Sequence, residues 1–194
     1  MAVEVVPSVE VRKKLTPDDV WAMMVQGELD KKGWELIGGE IVEVPPSEPA
    51  DSETGLDIVV PLRAFALKAG ARVFESSAGF LVGSDRRQLR APDASYVSRE
   101  RAFILDSKPW ANGAPDLAVE VLSEGQYGRA YAHGKLREYF EAGAQLVWLV
   151  DRQRKEVRVY RANSDEYTIY RNDAVLTLEP IIPGFERKVS DIFR

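Results

Sequence analysis

Apolar positions recur along the chain at two periods, and the switches between them delimit the elements. Thr16-Pro17-Asp18-Asp19 opens a helix, with Thr as N-cap, Pro at the first position and acids in the first turn. This helix is expected to end near Gly27. Trp34–Ile37 and Glu40–Val44 alternate as two strands across Gly38-Gly39, a two-residue hairpin signal. Pro45 to Ser52, rich in Pro, Ser and acids, reads as a loop. Leu56 to Lys68 has a helical period that places Leu56, Val59, Val60, Arg63 and Leu67 on one side. Pro61 is expected to kink this helix or delay its start, and Gly70 to stop it.

Arg72–Glu75, Gly79–Val82 and Ala94–Val97 read as strands of a meander. Arg99 to Pro115 is irregular, with a short helix before Asp106. Leu117–Leu122 is an almost wholly apolar strand, Arg129 to Ala142 a helix, and Gln145–Val150 a second apolar strand ending at Asp151. Glu156–Tyr160 and Glu166–Tyr170 alternate as a final hairpin, before Pro183-Gly184-Phe185 and a short amphipathic end. The order predicts a mixed α/β (α+β) domain: a central mixed sheet flanked by helices. Residues 1–15 read as a loosely held arm and 16–194 as a single domain.

Composition bounds what this domain does. Apolar content of 45% and charged content of 29% are those of an ordinary globular protein. The chain has no cysteine, which removes disulfides and cysteine zinc sites and suits a reducing cytoplasm. No apolar run approaches the roughly 20 residues of a membrane span, and Met1–Lys14 lacks a signal-peptide core. A net charge of −5 argues against a general basic nucleic-acid-coating surface. Any such face must be local; Arg86, Arg87, Arg90, Arg99 and Arg101 form one candidate, solvated loop arginines being the alternative.

Glu120 changes the picture most. Every neighbour in Leu117-Ala118-Val119-Glu120-Val121-Leu122 is apolar, and a carboxylate there must pair, protonate or bind a cation. Period two puts it on the face of Ala118 and Leu122. Asp93, after Pro92, opens the strand Ala94–Val97. Two acids on adjacent strands can face one cation at about 2.0–2.6 Å. The alternative for Glu120 is a sheet edge or a salt bridge to an arginine. Lys135 borders the apolar stripe Leu136, Tyr139, Phe140, Gly143, where its ammonium can reach over the strand, or pair at the surface with Glu138 or Tyr139. His133 is two residues away and faces elsewhere, and Asp116, at the entry of the strand, suits a turn or cap, an outer acid of the site being the alternative.

Arg90-Ala91-Pro92-Asp93-Ala94-Ser95-Tyr96-Val97, Pro115-Asp116-Leu117-Ala118-Val119-Glu120-Val121-Leu122-Ser123, Lys135 to Gly143 and Val147-Trp148-Leu149-Val150-Asp151 together resemble the Uma-type restriction endonuclease family, within the PD-(D/E)XK nuclease superfamily. Trp34 to Glu40 resembles the family's opening hairpin and Pro183-Gly184-Phe185 its closing motif, so the likeness runs from Leu15 to Phe193.

The resemblance implies a restriction-endonuclease-like core and a Mg2+-dependent phosphodiesterase acting on DNA, with Mn2+ as a substitute. It assigns Asp93, Glu120 and Lys135 as catalytic, and Glu53, Asp93, Glu120 and the Val121 carbonyl to the metal. Leu122 stands where the superfamily usually has lysine, and Lys135 on the next helix matches the relocated lysine. Thr54 replaces a frequent histidine, and Tyr131 a frequent aspartate.

The rival readings are a catalytically inactive nuclease-fold module for binding or dimerisation, and a carboxylate-pair glycosidase, which the apolar setting of Glu120 disfavours. A homodimer is expected, with Gln145–Val150, Trp110 and Tyr127 as a candidate face.

Overall fold

The computed structural model describes residues 14–31, 33–122 and 129–193. The expectations for the arm before Lys14, for Tyr127 and for the side chains of Tyr131 and His133 fall outside the described residues. Leu15, the last residue assigned to the arm, is tied down: its N–H donates to the Gly39 carbonyl at 2.9 Å.

Helix α1 (Pro17–Gln26) starts where the sequence places it. The Thr16 hydroxyl accepts from the Asp19 amide at 3.2 Å and the Asp19 carboxylate from the Thr16 amide at 2.8 Å, a closed capping box. Strands β1 (Trp34–Ile37) and β2 (Glu40–Glu43) form the hairpin, with Ile37 opposite Glu40. Helix α2 (Pro49–Ala69) begins inside the segment read as a loop. Pro49 sits at its start, where a missing N–H costs nothing.

Then follow β3 (Arg72–Glu75), β4 (Phe80–Val82), β5 (Gln88–Arg90), β6 (Ala94–Val97) and β7 (Leu117–Leu122). Helix α3 (Arg129–Glu141) precedes β8 (Leu146–Asp151), β9 (Glu156–Arg161), β10 (Tyr167–Arg171), β11 (Val175–Leu178) and β12 (Ile182–Lys188).

The central sheet has the order β10-β9-β8-β7-β6-β3. It is mixed: β7 and β8 are parallel, with α3 between them in the chain, and the other neighbours are antiparallel. Each face carries its own core. Leu117, Val119, Val121 and Trp148 pack with Ile58, Leu62 and Ala66 of α2. Ala118, Leu122, Val147 and Leu149 pack with Leu136 and Tyr139 of α3. Each large apolar chain buried here contributes about 1.5–3 kcal/mol.

Three sequence expectations are corrected. The supposed meander is split: β3 pairs with β6 in the central sheet, whereas β4 joins β5 in a separate sheet of order β2-β1-β5-β4. Alternation identifies a strand but not its partner.

The buried side of α2 is Asp51, Thr54, Gly55, Ile58, Leu62 and Ala66, which leaves Leu56, Val60 and Leu67 at the surface. That side mixes Ile58 and Leu62 with small and polar residues, so a count of large apolar positions selects the opposite one.

The candidate dimer face is used within the chain. β8 lies between β7 and β9 with Leu146 to Val150 buried, and Trp110 packs edge-on against Trp21 and Trp34.

Candidate active site

The alternation of β7 turns Leu117, Val119 and Val121 toward α2, and Ala118, Glu120 and Leu122 toward α3. In the antiparallel register Ala94 faces Val119, so the next position outward sets Asp93 opposite Glu120. Pro92 precedes and has no N–H to extend the ladder. The Asp93 side chain takes over there: its Oδ2 accepts the Val121 amide at 2.7 Å. Its other oxygen has no hydrogen-bond partner among the described residues.

Helix α3 supplies two side chains one turn apart. Lys135 Nζ donates to Glu120 Oε2 at 2.7 Å, and the Tyr139 hydroxyl to Glu120 Oε1 at 2.6 Å. Glu120 is thus an interior acid paired with a lysine; neither a sheet edge nor an arginine accounts for it.

The pair extends into the second sheet. Lys135 Nζ lies 3.4 Å from Glu35 Oε1 on β1. Arg90, the last residue of β5, donates to Glu35 Oε2 and to Glu138 Oε2, both at 2.7 Å. Arg90 is 3% exposed, Glu35 6%, Glu120 8% and Lys135 9%, so water does little of the compensation. Four acids, Glu35, Asp93, Glu120 and Glu138, meet two bases, Arg90 and Lys135. Fully ionised, the group carries two excess negative charges, and among the described residues Asp93 is the acid that no salt bridge reaches, Lys135 acting on it only through its field.

Proton affinities follow that imbalance. Burial, and then the neighbouring Glu120 charge, push the Asp93 carboxyl up to about 7, against the Val121 amide and Lys135. Burial also raises Glu120, although Lys135 and Tyr139 favour its charged form. Glu35 pays the same desolvation but is held below its ordinary value by Lys135 and Arg90. Burial and the Glu120 carboxylate push the Tyr139 hydroxyl well up, so it stays a donor.

Asp93, Glu35 and Arg90 open onto a cleft of about 910 Å³ that Trp34, Trp110 and Glu75 also line.

The structure brings Asp93, Glu120, Val121 and Lys135 together. It does not bring Glu53, which lies exposed on α2 beside the outward Leu56 and Val60. Asp51, two residues earlier and so on the opposite side of the helix, is 5% exposed. Its charge adds to the upward push on Asp93, while Arg152 pairs with it at 2.9 Å.

The arginine patch is corrected in part: Arg90 is interior and Arg101 is held by Asp116 and the Ala114 carbonyl, whereas Arg86, Arg87 and Arg99 are exposed, Arg86 bonding Asn112. Asp116 is a buried acid engaged away from the site, accepting from the Ser98 amide at 2.7 Å and the Gln145 side-chain amide at 2.8 Å. Glu35, Arg90, Glu138 and Tyr139 went unassigned to the site because each is unexceptional in its own element: an acid in a hairpin, an arginine near a loop, two residues of an amphipathic helix.

The donors are hard oxygens, and the excess charge equals that of one divalent cation. Among the described residues, no three acids or histidines form a ready-made metal cluster. Two carboxylates, a carbonyl and substrate oxygens suit Mg2+, which keeps several of its waters, better than they suit a Ca2+ cage. The residues present therefore fit such an ion.

Residues 21–190 match the Uma2 family, described as "Putative restriction endonuclease". No curated protein matches the chain. Among solved structures, a protein of Anabaena variabilis ATCC 29413, described as "a putative nuclease belonging to DUF820", is similar with a TM-score of 0.74. The identity is 21%, over 92% of this chain and 97% of that one, which shows a shared fold.

Proposed function

The chain belongs to the Uma2 family, and on that premise we propose that it is a Mg2+-dependent endonuclease that hydrolyses DNA phosphodiester bonds at the Asp93–Glu120–Lys135 site. The observation that carries the reading is the Asp93–Glu120 pair, opposed across two strands, short of positive charge and open to the cleft at Asp93.

Asp93, Glu120 and the Val121 carbonyl would hold the ion, with Asp51 nearby in place of the exposed Glu53. Bound there, Mg2+ would lower the pKa of a water and offset charge on the leaving oxygen. The residues do the rest. Asp93 must give up its proton to act as a ligand, which its carboxyl does near neutral pH. The Val121 amide fixes the orientation of Asp93, and Tyr139 that of Glu120. Lys135 presents a positive charge beside both acids, where it can orient the attacking water or stabilise charge growing on the phosphate.

A cleavage assay on plasmid and single-stranded DNA with added Mg2+ tests this. Wild type is expected to cut and Glu120→Gln to fall to background. Equal activity in both would end the proposal.

A second reading, a nuclease-fold binding module without catalysis, draws on one observation: both Glu120 oxygens are already engaged, by Lys135 and Tyr139. Equal, metal-independent DNA retention by wild type and Glu120→Gln would favour it.

A further inference from the structure

The geometry points to Glu35 as a positioning residue: its carboxylate is a second seat for the Lys135 ammonium, occupied when a divalent cation sits at Asp93 and Glu120. The inference rests on the metal-site reading above.

Lys135 Nζ is 2.7 Å from Glu120 Oε2 and 3.4 Å from Glu35 Oε1, so it stands between two carboxylates and in closer contact with the first. A cation and an ammonium on the same small carboxylate repel each other. With Lys135 only 9% exposed, water cannot absorb the displaced charge. Glu35 can, because the ammonium already lies within ion-pair distance of it at 3.4 Å and needs only to exchange which carboxylate it contacts more closely. A lysine suits this, because its ammonium is a point charge with three rotatable donors on a flexible stem.

Glu35 itself is held still. Its other oxygen takes Arg90 at 2.7 Å, and Arg90 is anchored in turn by Glu138 at 2.7 Å. One carboxylate oxygen is thus bonded to an arginine that has a second anchor, while the other faces the Lys135 ammonium. Glu35 also lines the cleft, so the transfer keeps the positive charge beside the space where substrate would lie.

The test is a double-mutant cycle on Mn2+ affinity, measured by calorimetry on the full chain near pH 8. Glu35→Gln removes the second seat, leaving Lys135 to compete for Glu120, and is expected to weaken Mn2+ binding about tenfold. Lys135→Met removes the competitor and should bind at least as tightly as wild type. Glu35→Gln added to Lys135→Met should then change little.

The same loss in both backgrounds would mean that Glu35 acts only through its field and would overturn the inference, as would no loss in either. Should Glu35→Gln fail to fold, Glu35→Asp, which withdraws the carboxylate but keeps its charge, is compared across the same two backgrounds with the same criteria. Wild type that binds no Mn2+ would remove the metal reading as well; wild type that binds while the losses add would remove only the role of Glu35.

Discussion

The Asp93 carboxylate accepts the Val121 amide at 2.7 Å, which locks the acid opening one strand to the backbone beside Glu120 in the next. The bond does two things: it continues the ladder past Pro92 with a side chain, and it sets Asp93 against Glu120, whose charge burdens that of Asp93.

The contribution of Asp93 to the stability of the metal-free protein should therefore fall as pH rises. Asp93 has an ordinary carboxyl value of 3.8 and is pushed up to about 7 in the fold. The folded state keeps the proton where the unfolded chain has lost it, so the contribution is complete below about pH 4 and gone above about pH 7. Asp93→Asn still accepts from Val121 but has no charge to bury. In EDTA near pH 8 it should be at least about 1 kcal/mol more stable than wild type, roughly 2–4 °C in Tm. Near pH 4 the difference should vanish. Melts showing Asp93→Asn less stable near pH 8 would refute this.

Lys135 and Glu120 should be strongly coupled. Lys135→Met leaves a buried carboxylate with one neutral donor and should cost about 3–5 kcal/mol in urea unfolding at neutral pH. Glu120→Gln alone strands the ammonium, although Glu35 softens that cost. The double variant should lose far less than the sum of the singles. Additive losses would contradict the pairing.

Arg90 and Arg87 offer a contrast between neighbours in sequence. Arg90→Met uncovers Glu35 and Glu138 in the interior and should destabilise by about 3 kcal/mol or more. Arg87 is exposed, and Arg87→Ala should stay within about 0.5 kcal/mol. Equal effects on chemical denaturation would restore the surface-patch view of both.

How much of this was legible in the sequence differs by element. Glu120 is conspicuous because strand period and an apolar setting fix its environment without knowledge of the fold, and α1 because its cap is written in four adjacent residues. Asp51 was not legible. Reading Pro45 to Ser52 as a loop removed the helical phase that sends Asp51 inward and Glu53 outward. Glu35 meets Arg90 through the pairing of β1 with β5 and Lys135 across a long stretch of chain, and no local pattern encodes either contact. Local physics announces the acid that breaks its own strand's pattern; the partners that surround it depend on topology.

The placement of Asp51 and Glu53 leads to its own comparison. Asp51→Asn should weaken Mn2+ binding several-fold by removing a charge near Asp93, whereas Glu53→Gln should leave it within about twofold, since the exposed side of α2 is screened by water. Calorimetry giving the reverse order would return Glu53 to the site.

The most direct test of the central claim is the anomalous scattering of crystals grown with Mn2+. The account expects one strong peak within about 2.0–2.6 Å of carboxylate oxygens from both Asp93 and Glu120. A map without that peak, or one that places it away from both acids while Lys135 still holds Glu120, would contradict it.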